Sequence, residues 1–223
     1  MKILAIDTST STGSVALVED GRLLLERMTA GVVTYADWLL CAIDSLLNDA
    51  GCTVKDIDIF AVGAGPGLFT GLRIGISTAK GLAWALGKGC APVSTLEALA
   101  LNAPYSDITV CPLLDARKGE VYAALYRRGL RSTDVIMKDS LLTPDALFHT
   151  INSSDTPRPV LFLGAGLGAY ADAVKKNMNP DDYIIAPEPL WHVRASNIAL
   201  LAMRGSAGAI APFELLPTYL RRP

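Results

Sequence analysis

Histidine is scarce in this sequence. Only His149 and His192 occur among its 223 residues, and neither lies beside an obvious nucleophile. Because histidine is the most frequent general base and a frequent metal ligand, this scarcity limits both kinds of chemistry. The sequence also lacks a G-x-S-x-G motif, the turn that carries the nucleophilic serine of many hydrolases. These absences argue against a hydrolase of that kind and against a histidine-based metal site.

An excess of basic residues is also missing. The sequence has 20 Lys and Arg residues against 22 Asp and Glu residues, which gives a formal net charge of -2 at pH 7. A protein that holds nucleic acid by itself needs a basic excess on some face, because it must neutralise phosphates. The charge balance therefore argues against a protein that binds nucleic acid by itself.

Long apolar runs and paired cysteines are absent as well. No run approaches the roughly 18 apolar residues that a membrane-spanning helix needs, and the short apolar run after Lys2 does not resemble a secretory signal. Cys41, Cys52, Cys90 and Cys111 are scattered, without a C-x-x-C pair. This usage is typical of a reduced protein. We expect a cytoplasmic protein with no membrane segment.

Apolar residues, in contrast, are abundant. They make up 51 % of the sequence, while charged residues make up 19 %, and an average domain has about 25 % charged residues. Part of this excess fits the buried strands of two lobes. We expect the remainder on a surface that a partner covers.

The two halves of the chain repeat one order of predicted elements. Each half reads strand, strand, strand, helix, strand, helix, strand, helix, and in each half an Asp (Asp7 or Asp115) ends the first strand. This order predicts an α/β protein with the actin-like (sugar kinase/Hsp70-like) duplicated fold, in which two lobes of mixed sheet are flanked by helices. We place the N-terminal lobe, with the partner surface, at 1–102 and a smaller C-terminal lobe at 103–223, with the boundary near 102–106.

Asp7 and Asp115 are also candidates for phosphate chemistry. In actin-like ATPases the two corresponding Asp residues flank the nucleotide phosphates, and glycine-rich turns let backbone N–H groups approach them. One interpretation is therefore an actin-like ATPase or small-molecule kinase that uses Asp7 and Asp115, with Arg117 as a weak phosphate-binding candidate. The other is a pair of strand-end carboxylates that accept N–H bonds from their own turns. The few glycines in both turns favour the second interpretation.

Two glycine patterns resemble nucleotide-binding motifs. Residues 164–169 (GAGLGA) fit the G-x-G-x-x-G/A pattern after a predicted strand, but their place late in the second lobe favours a tight strand-to-helix turn. Residues 81–88 are not a P-loop, because five residues separate Gly81 from Gly87 and that motif has four at this point. We predict no cofactor.

Residues 65–75 (GPGLFTGLRIG) are the most informative stretch, because they leave a predicted strand and enter a helix. In this helix Gly71, Gly75, Ala79 and Ala83 recur every four positions and therefore share one face. Two glycines in a helix cost about 1 kcal/mol each relative to alanine, so a packing gain should offset them. Close packing within the same lobe and contact with a partner explain this flat face equally well.

The preceding predicted helix, 34–50, is apolar over more than the single stripe of an ordinary surface helix. Its surplus apolar face, beside the flat helix, is typical of a protein–protein interface. We therefore predict a partner interface made of nine residues from the two helices: Tyr35, Trp38, Leu39, Ala42, Leu46, Gly71, Gly75, Ala79 and Ala83.

Five segments together resemble the TsaB (YeaZ) family, over essentially the whole chain. They are residues 3–9 (ILAIDTS), 65–75 (GPGLFTGLRIG), 93–100 (VSTLEALA), 115–122 (DARKGEVY) and 217–221 (PTYLR). The resemblance implies an actin-like fold. It also implies a role beside the catalytic relative TsaD in bacterial threonylcarbamoyladenosine synthase, which modifies the adenine next to the anticodon of tRNAs that read codons beginning with A.

The resemblance further implies partners. In the family the two first-lobe helices contact TsaD, TsaB alone pairs with itself through much the same surface, and the ATPase TsaE joins the complex. TsaD carries an H-x-x-x-H metal motif on the helix matching 34–50, where this sequence has no histidine. Because the two histidine ligands are missing, we expect no metal-assisted catalysis of the kind that TsaD performs. Two positions depart from the family pattern: Leu68 replaces a usual Ser, and Tyr35 stands where many relatives keep a His.

We therefore expect a non-catalytic scaffold subunit, without metal or cofactor, that binds and stabilises TsaD and meets tRNA only indirectly. On the predicted interface, Gly75→Leu should abolish TsaD binding and leave the fold intact. ATP binding by the isolated chain, lost in Asp7→Ala, would instead favour the ATPase alternative.

Overall fold

The protein forms two compact units. The structure, a computed structural model, describes residues 1–31, 34–104, 107–129, 133–153, 155–205 and 208–221. Unit 1 comprises Met1–Ala98 and Val193–Tyr219, and unit 2 comprises Leu99–His192 and Leu220–Pro223.

Unit 1 contains a mixed sheet of five strands. They are β1 (Lys2–Asp7), β2 (Thr12–Glu19), β3 (Arg22–Ala30), β4 (Ile59–Gly65) and β5 (Gly89–Ser94), in the order β3-β2-β1-β4-β5. The first three strands pair antiparallel, and β4 runs parallel to β1 and β5. The same stretch of the chain contains the helices α1 (Tyr35–Asp49) and α2 (Phe69–Leu86), and the short α3 (Thr95–Ala100) follows β5.

Unit 2 repeats this topology. Its elements are β6 (Ile108–Arg117), β7 (Glu120–Arg128), β8 (Thr133–Leu142), α4 (Pro144–Ser153), β9 (Val160–Leu163), α5 (Leu167–Asn177) and β10 (Tyr183–Ile185). The strand order is β10-β9-β6-β7-β8, with the same parallel and antiparallel pairs at equivalent places. The predicted duplication of one mixed sheet is confirmed.

The last helix, α6 (Ala195–Met203), lies in unit 1, where it packs on β1, β2 and β4. Asn197 Nδ2 donates to the carbonyl of Ala98 at 3.0 Å. The predicted lobe 103–223 therefore differs from the observed division, because Val193–Tyr219 returns to unit 1. The predicted boundary also reaches Ser106, which lies outside the described residues.

The core of unit 1 explains this return. Leu4, Ile6, Phe60 and Val62 cluster with buried residues of α1 and α2. Because strand side chains alternate between the two faces, the next position, Gly63, points to the other face. A Cβ at Gly63 would lie 3.3 Å from Ile198 Cδ1 on α6. Helix α6 thus covers the sheet face opposite α1 and α2. The four residues Ile3–Ile6 of β1 are all apolar because they are buried on both faces of the sheet.

Local sequence signals account for two helix ends, and a third end lacks the side-chain cap that its sequence would allow. Gly87 ends α2 in the left-handed conformation, with φ of 64°, as expected for a C-terminal glycine. Ser94 Oγ accepts the N–H of Glu97 at 3.1 Å and thereby caps α3. Thr34 precedes α1, but its side chain makes no capping bond. In the described part of the chain, no helix combines the length and apolar character needed to span a bilayer.

Candidate functional site

Asp7 ends β1 inside unit 1, where its carboxyl group is fully buried. Oδ1 accepts the Ser9 hydroxyl at 2.8 Å, and Oδ2 is buried with no hydrogen-bond partner among the described residues. Burial raises the pKa of Asp7 to about 7, against the opposing effect of the Ser9 hydrogen bonds. A buried carboxyl group of this kind is stabilised in its protonated form and offers no exposed oxygen to a phosphate-bound cation.

The turn after Asp7 is held by the start of α2. Thr8 Oγ1 donates to the carbonyl of Gly71 at 2.7 Å, and the N–H of Leu68 donates to the carbonyl of Ser9 at 2.7 Å. At Leu68, where the family pattern has a Ser, the backbone therefore makes this contact. The turn and the first turn of α2 form one hydrogen-bonded unit.

The small-residue stripe of α2 faces this turn and the sheet. A Cβ at Gly71 would overlap the Thr8 carbonyl oxygen, and one at Gly75 would overlap the Thr8 hydroxyl. Ala79 and Ala83 are fully buried in the same core. The interpretation as packing within the lobe therefore holds for these four positions, and their side chains are not available to a partner in this structure.

The predicted α1 positions also turn inward. Leu39, Ala42 and Leu46 are buried in the core of unit 1. Trp38 is half-buried, and a Cβ at Gly13 on β2 would lie 2.6 Å from its Cζ3 atom. The glycine at position 13 thus makes room for the indole ring. The three buried positions build the inner face of α1, so a partner would have to meet its outer face.

Tyr35, at the start of α1, is half-buried. Its hydroxyl donates to the carbonyl of Thr10. Burial, with a smaller contribution from the negative charge of Asp7, raises the pKa of Tyr35 to about 12. The tyrosine that stands in place of a family histidine therefore holds the turn between β1 and β2, as a neutral hydrogen-bond donor.

The outer face of α2 has a second small-residue stripe, which sequence reasoning missed. Ser77, Gly81 and Ala85 are exposed and also recur every four positions. A Cβ at Gly81 would meet no neighbouring element within 4 Å among the described residues. Trp84, at 79 % exposure, stands beside this stripe. On the outer face of α1, Leu40 is 56 % exposed.

A C-terminal segment, residues 209–219, runs alongside α2 in the opposite direction. Ile210 pairs with Cys90 at the start of β5, and the N–H of Thr218 donates to the carbonyl of Ala64 at 2.7 Å, near the start of α2. Leu215 enters the core. The segment leaves three apolar side chains at least one-third exposed: Phe213, Leu216 and Tyr219.

In unit 2, Asp115 lies in the hairpin between β6 and β7. Its Oδ1 accepts the N–H of Arg117 at 2.7 Å, and its Oδ2 forms an ion pair with Arg117 Nη1 at 3.3 Å. Lys118 and Gly119 both have positive φ, as a two-residue hairpin turn requires. The sequence predicted that Asp115 ends its strand. In the structure β6 continues two residues further, to Arg117. The contacts agree with the interpretation of a carboxylate that stabilises its own turn.

The glycines of residues 164–169 serve close packing. The N–H of Gly166 donates to the carbonyl of Leu113 at 2.9 Å, and Cβ atoms at Gly164 and Gly166 would crowd that same carbonyl. An N–H group engaged in this way is not directed at a phosphate. The ATPase alternative stays a prediction that neither this turn nor the two Asp residues support.

Comparisons with known proteins identify the family of this chain. The family model described as TsaD, tRNA N6-adenosine threonylcarbamoyltransferase, matches residues 33–211. A Bacillus subtilis protein named tRNA threonylcarbamoyladenosine biosynthesis protein TsaB is 34 % identical, with 99 % of this chain and 94 % of that protein covered. The Haemophilus influenzae protein of the same name is 30 % identical, with the same coverage. The chain belongs to the TsaB family.

Solved structures agree with this TsaB membership. A Pseudomonas aeruginosa protein described as similar to peptidase YEAZ is 29 % identical, has a TM-score of 0.81, and is covered over 99 % of both chains. The ethanolamine utilization protein EutJ of Carboxydothermus hydrogenoformans is 14 % identical with a TM-score of 0.52, covered over 90 % of both chains, and shows the fold alone. The predicted TsaB resemblance and the predicted actin-like fold are both confirmed.

Proposed function

We propose that this chain is a non-catalytic subunit of the bacterial tRNA threonylcarbamoyladenosine synthase. It binds and stabilises the TsaD subunit through the outer faces of α1 and α2. The proposal keeps the two helices that the sequence indicated and replaces the buried positions by exposed ones.

One observation carries the proposal: the outer face of α2 combines an exposed tryptophan with an exposed small-residue stripe. Trp84 is 79 % exposed, and Leu40 on α1 is 56 % exposed. Tryptophan is among the residues that contribute most to binding at interfaces. Gly81 and Ala85 beside it allow a partner helix to approach closely. Exposed apolar side chains that are grouped on neighbouring helices, unlike single scattered ones, are typical of a surface that a partner covers.

The sequence inventory and the two Asp residues support a non-catalytic role. Both histidines, His149 and His192, are more than a hundred positions along the sequence from Tyr35, the first residue of α1, the helix that matches the H-x-x-x-H helix of TsaD. Asp7 is fully buried and Asp115 is engaged by Arg117. In this proposal, the match of the TsaD family model to residues 33–211 reflects a shared fold. The threonylcarbamoyl transfer is carried out by the partner, TsaD.

The charges of the two helices support pairing of two copies when TsaD is absent. Helix α1 contains Asp37, Asp44 and Asp49 and no basic residue, whereas α2 contains Arg73 and Lys80 and no acidic residue. Two copies related by a two-fold axis would place α1 of one against α2 of the other, so opposite charges would meet. The proposed complex also includes the ATPase TsaE, and tRNA is met only indirectly, in keeping with the net charge of -2.

Co-purification with tagged TsaD from the same organism tests the proposal. We expect Trp84→Glu and Leu40→Glu to lose TsaD, because each places a charge on the outer face. Val135→Glu is the matched control, since Val135 on β8 of unit 2 is 55 % exposed. All three variants should change the free energy of unfolding by about 0.5 kcal/mol or less. Failure of the unmodified chain to bind TsaD, or full binding by both outer-face variants, would contradict the proposal.

A further inference from the structure

Three exposed residues form a preassembled cluster at the first turns of α2. The Cζ atom of Arg73 lies 3.8 Å from the ring centroid of Phe69, and Arg73 Nε donates to the Tyr219 hydroxyl at 3.1 Å. The rings of Phe69 and Tyr219 stack with centroids 5.3 Å apart and an angle of 26° between their planes. Phe69 is 51 % exposed and Tyr219 is 39 % exposed.

These contacts fix the Arg73 guanidinium before any partner arrives. The guanidinium carbon lies over the Phe69 ring, and Nε donates its hydrogen to the Tyr219 hydroxyl. Both terminal nitrogens of the guanidinium remain for a bond to a partner. No carboxylate of the described residues lies within 4.0 Å of Arg73. A guanidinium held in one orientation binds a carboxylate with a smaller loss of side-chain entropy than a mobile one.

The surroundings of Arg73 indicate what kind of group it meets. Phe69, Thr70, Arg73, Ile74 and Ser77 line a groove of about 350 Å³ along α2. The acidic residue of the neighbouring C-terminal segment, Glu214, accepts the N–H of Ala211 within its own turn. The groove thus offers apolar carbon beside a cation that has no counter-charge within 4.0 Å in the described part of the chain. An apolar ridge that carries an Asp or Glu side chain complements both features.

We propose that Arg73 is the carboxylate-binding residue of the TsaD interface, positioned by Phe69 and Tyr219. The partner helix that lies in the groove presents an Asp or Glu to the two terminal nitrogens of the guanidinium. This inference rests on the proposed function and adds its specificity-determining residue. A protein carboxylate is favoured over an RNA phosphate because unit 1 is not basic and Arg73 is the one cation that lines the groove among the described residues, whereas RNA backbones are bound by clusters of cations.

Isothermal titration of the full chain with TsaD from the same organism tests this inference. We expect Arg73→Ala to weaken binding by roughly 30-fold or more, the range of an interface hot spot. Arg73→Lys should restore little, because an ammonium group cannot bind a carboxylate in the same two-bonded way. Tyr219→Phe should weaken binding several-fold, because the guanidinium then loses one of the two contacts that hold it. Arg22→Ala, which removes an exposed arginine of β3, is the matched control and should bind like the unmodified chain.

The outcomes separate the inference from the proposed function. If the unmodified chain does not bind TsaD, the proposed function fails. If it binds, and Arg73→Ala binds equally well, only the carboxylate inference fails. A second titration uses unmodified tRNA with the chain alone. If Arg73→Ala lowers tRNA affinity and leaves TsaD affinity unchanged, the ligand is a phosphate and the carboxylate inference is overturned.

Discussion

Gly75 on α2 lies against the Thr8 hydroxyl with no room for a Cβ atom between them. Gly75→Leu should therefore destabilise unit 1 by about 3 kcal/mol or more, because a buried contact is overpacked. This prediction differs from the expectation based on the sequence alone, in which the variant keeps its fold and loses its binding to TsaD. Urea unfolding followed by circular dichroism measures the change.

Gly81→Leu is the matched substitution on the same helix. Since a Cβ at Gly81 meets no neighbouring element within 4 Å among the described residues, the variant should unfold at a urea concentration equal to or above that of the unmodified chain. It should nonetheless bind TsaD more weakly, because the leucine fills the space that a partner helix would occupy. Equal losses of stability in both variants would contradict the assignment of inner and outer faces.

The carboxyl group of Asp7 predicts a pH-dependent stability. Its pKa is about 7 in the folded protein and about 4 in an unfolded chain. Between these values the folded state binds more protons than the unfolded state, so the free energy of unfolding falls as the pH rises and levels off above pH 7. Raising the pH from 5.5 to 8 should remove about 2 kcal/mol through this one group.

Asp7→Asn isolates that contribution, because asparagine has the shape of the protonated carboxyl group and does not ionise. We expect the variant to lose this pH dependence and to be more stable than the unmodified chain at pH 8. Paired urea titrations at pH 5.5 and pH 8 provide the comparison. A variant with the same slope between the two pH values as the unmodified chain would show that Asp7 is already ionised in the folded protein.

The four cysteines predict a labelling pattern that reports on the outer face of α1. Cys41 is exposed on α1 beside Leu40, Cys52 is partly exposed, and Cys90 and Cys111 are buried. Burial also raises the pKa of both buried thiols, Cys90 to about 11, so their thiolate forms are rare at neutral pH. In native protein, a maleimide should therefore modify Cys41 first.

Binding of TsaD should protect Cys41 and leave labelling of Cys52 unchanged, since Cys41 lies on the proposed interface. Mass spectrometry of tryptic peptides, with and without TsaD, distinguishes the two sites. Unchanged labelling of Cys41 in the complex would place the TsaD contact away from the outer face of α1.

Glu26 on β3 ties α6 to unit 1. Its side chain is 7 % exposed. Oε1 accepts the N–H of Ser196 at 2.9 Å and Oε2 accepts Arg194 Nε at 3.0 Å. Glu26→Ala should cost about 1–3 kcal/mol in global stability, because a partly buried N–H group and a cation lose their acceptor.

Glu19→Ala provides the comparison for Glu26, since its ion pair with Lys2 is at the surface and should be worth about 1 kcal/mol or less. Thermal unfolding of both variants tests the assignment of α6. Equal and small effects would show that the segment 193–219 contributes little to unit 1.

The sequence predicted elements better than it predicted which way they face. The short apolar runs Val160–Leu163 and Tyr183–Ile185 form strands with the same bounds, because such runs between polar turns have few alternatives. The spacing of four residues showed correctly that Gly71 and Gly75 share a helix face. Spacing does not show whether that face points to the sheet or to solvent, and a second stripe with the same spacing, Ser77 to Ala85, lies on the other side of the helix.

The remaining features depend on contacts between distant parts of the chain. Arg73 and Tyr219 are 146 residues apart, and no local pattern brings them together. Helix α6 likewise returns to unit 1 because it covers the sheet face opposite α1 and α2. The order of elements along the chain does not reveal that this face needs a helix. The burial of Asp7 follows from its position in a strand that is covered on both faces. Its residue type and its place at the end of a strand also suited a phosphate site, which only the few glycines of the turn made less favourable.

The division of the chain affects its synthesis. Unit 1 needs Met1–Ala98 and also Val193–Tyr219, while most of unit 2 is the uninterrupted stretch Leu99–His192. A ribosome therefore makes the five strands of unit 1 first and α6 nearly a hundred residues later. During that interval one apolar face of the nascent sheet has no helix to cover it, which is the condition under which chaperones engage nascent chains. The part translated first is the last to be completed, and a ribosome that stops before α6 releases a sheet with one bare side.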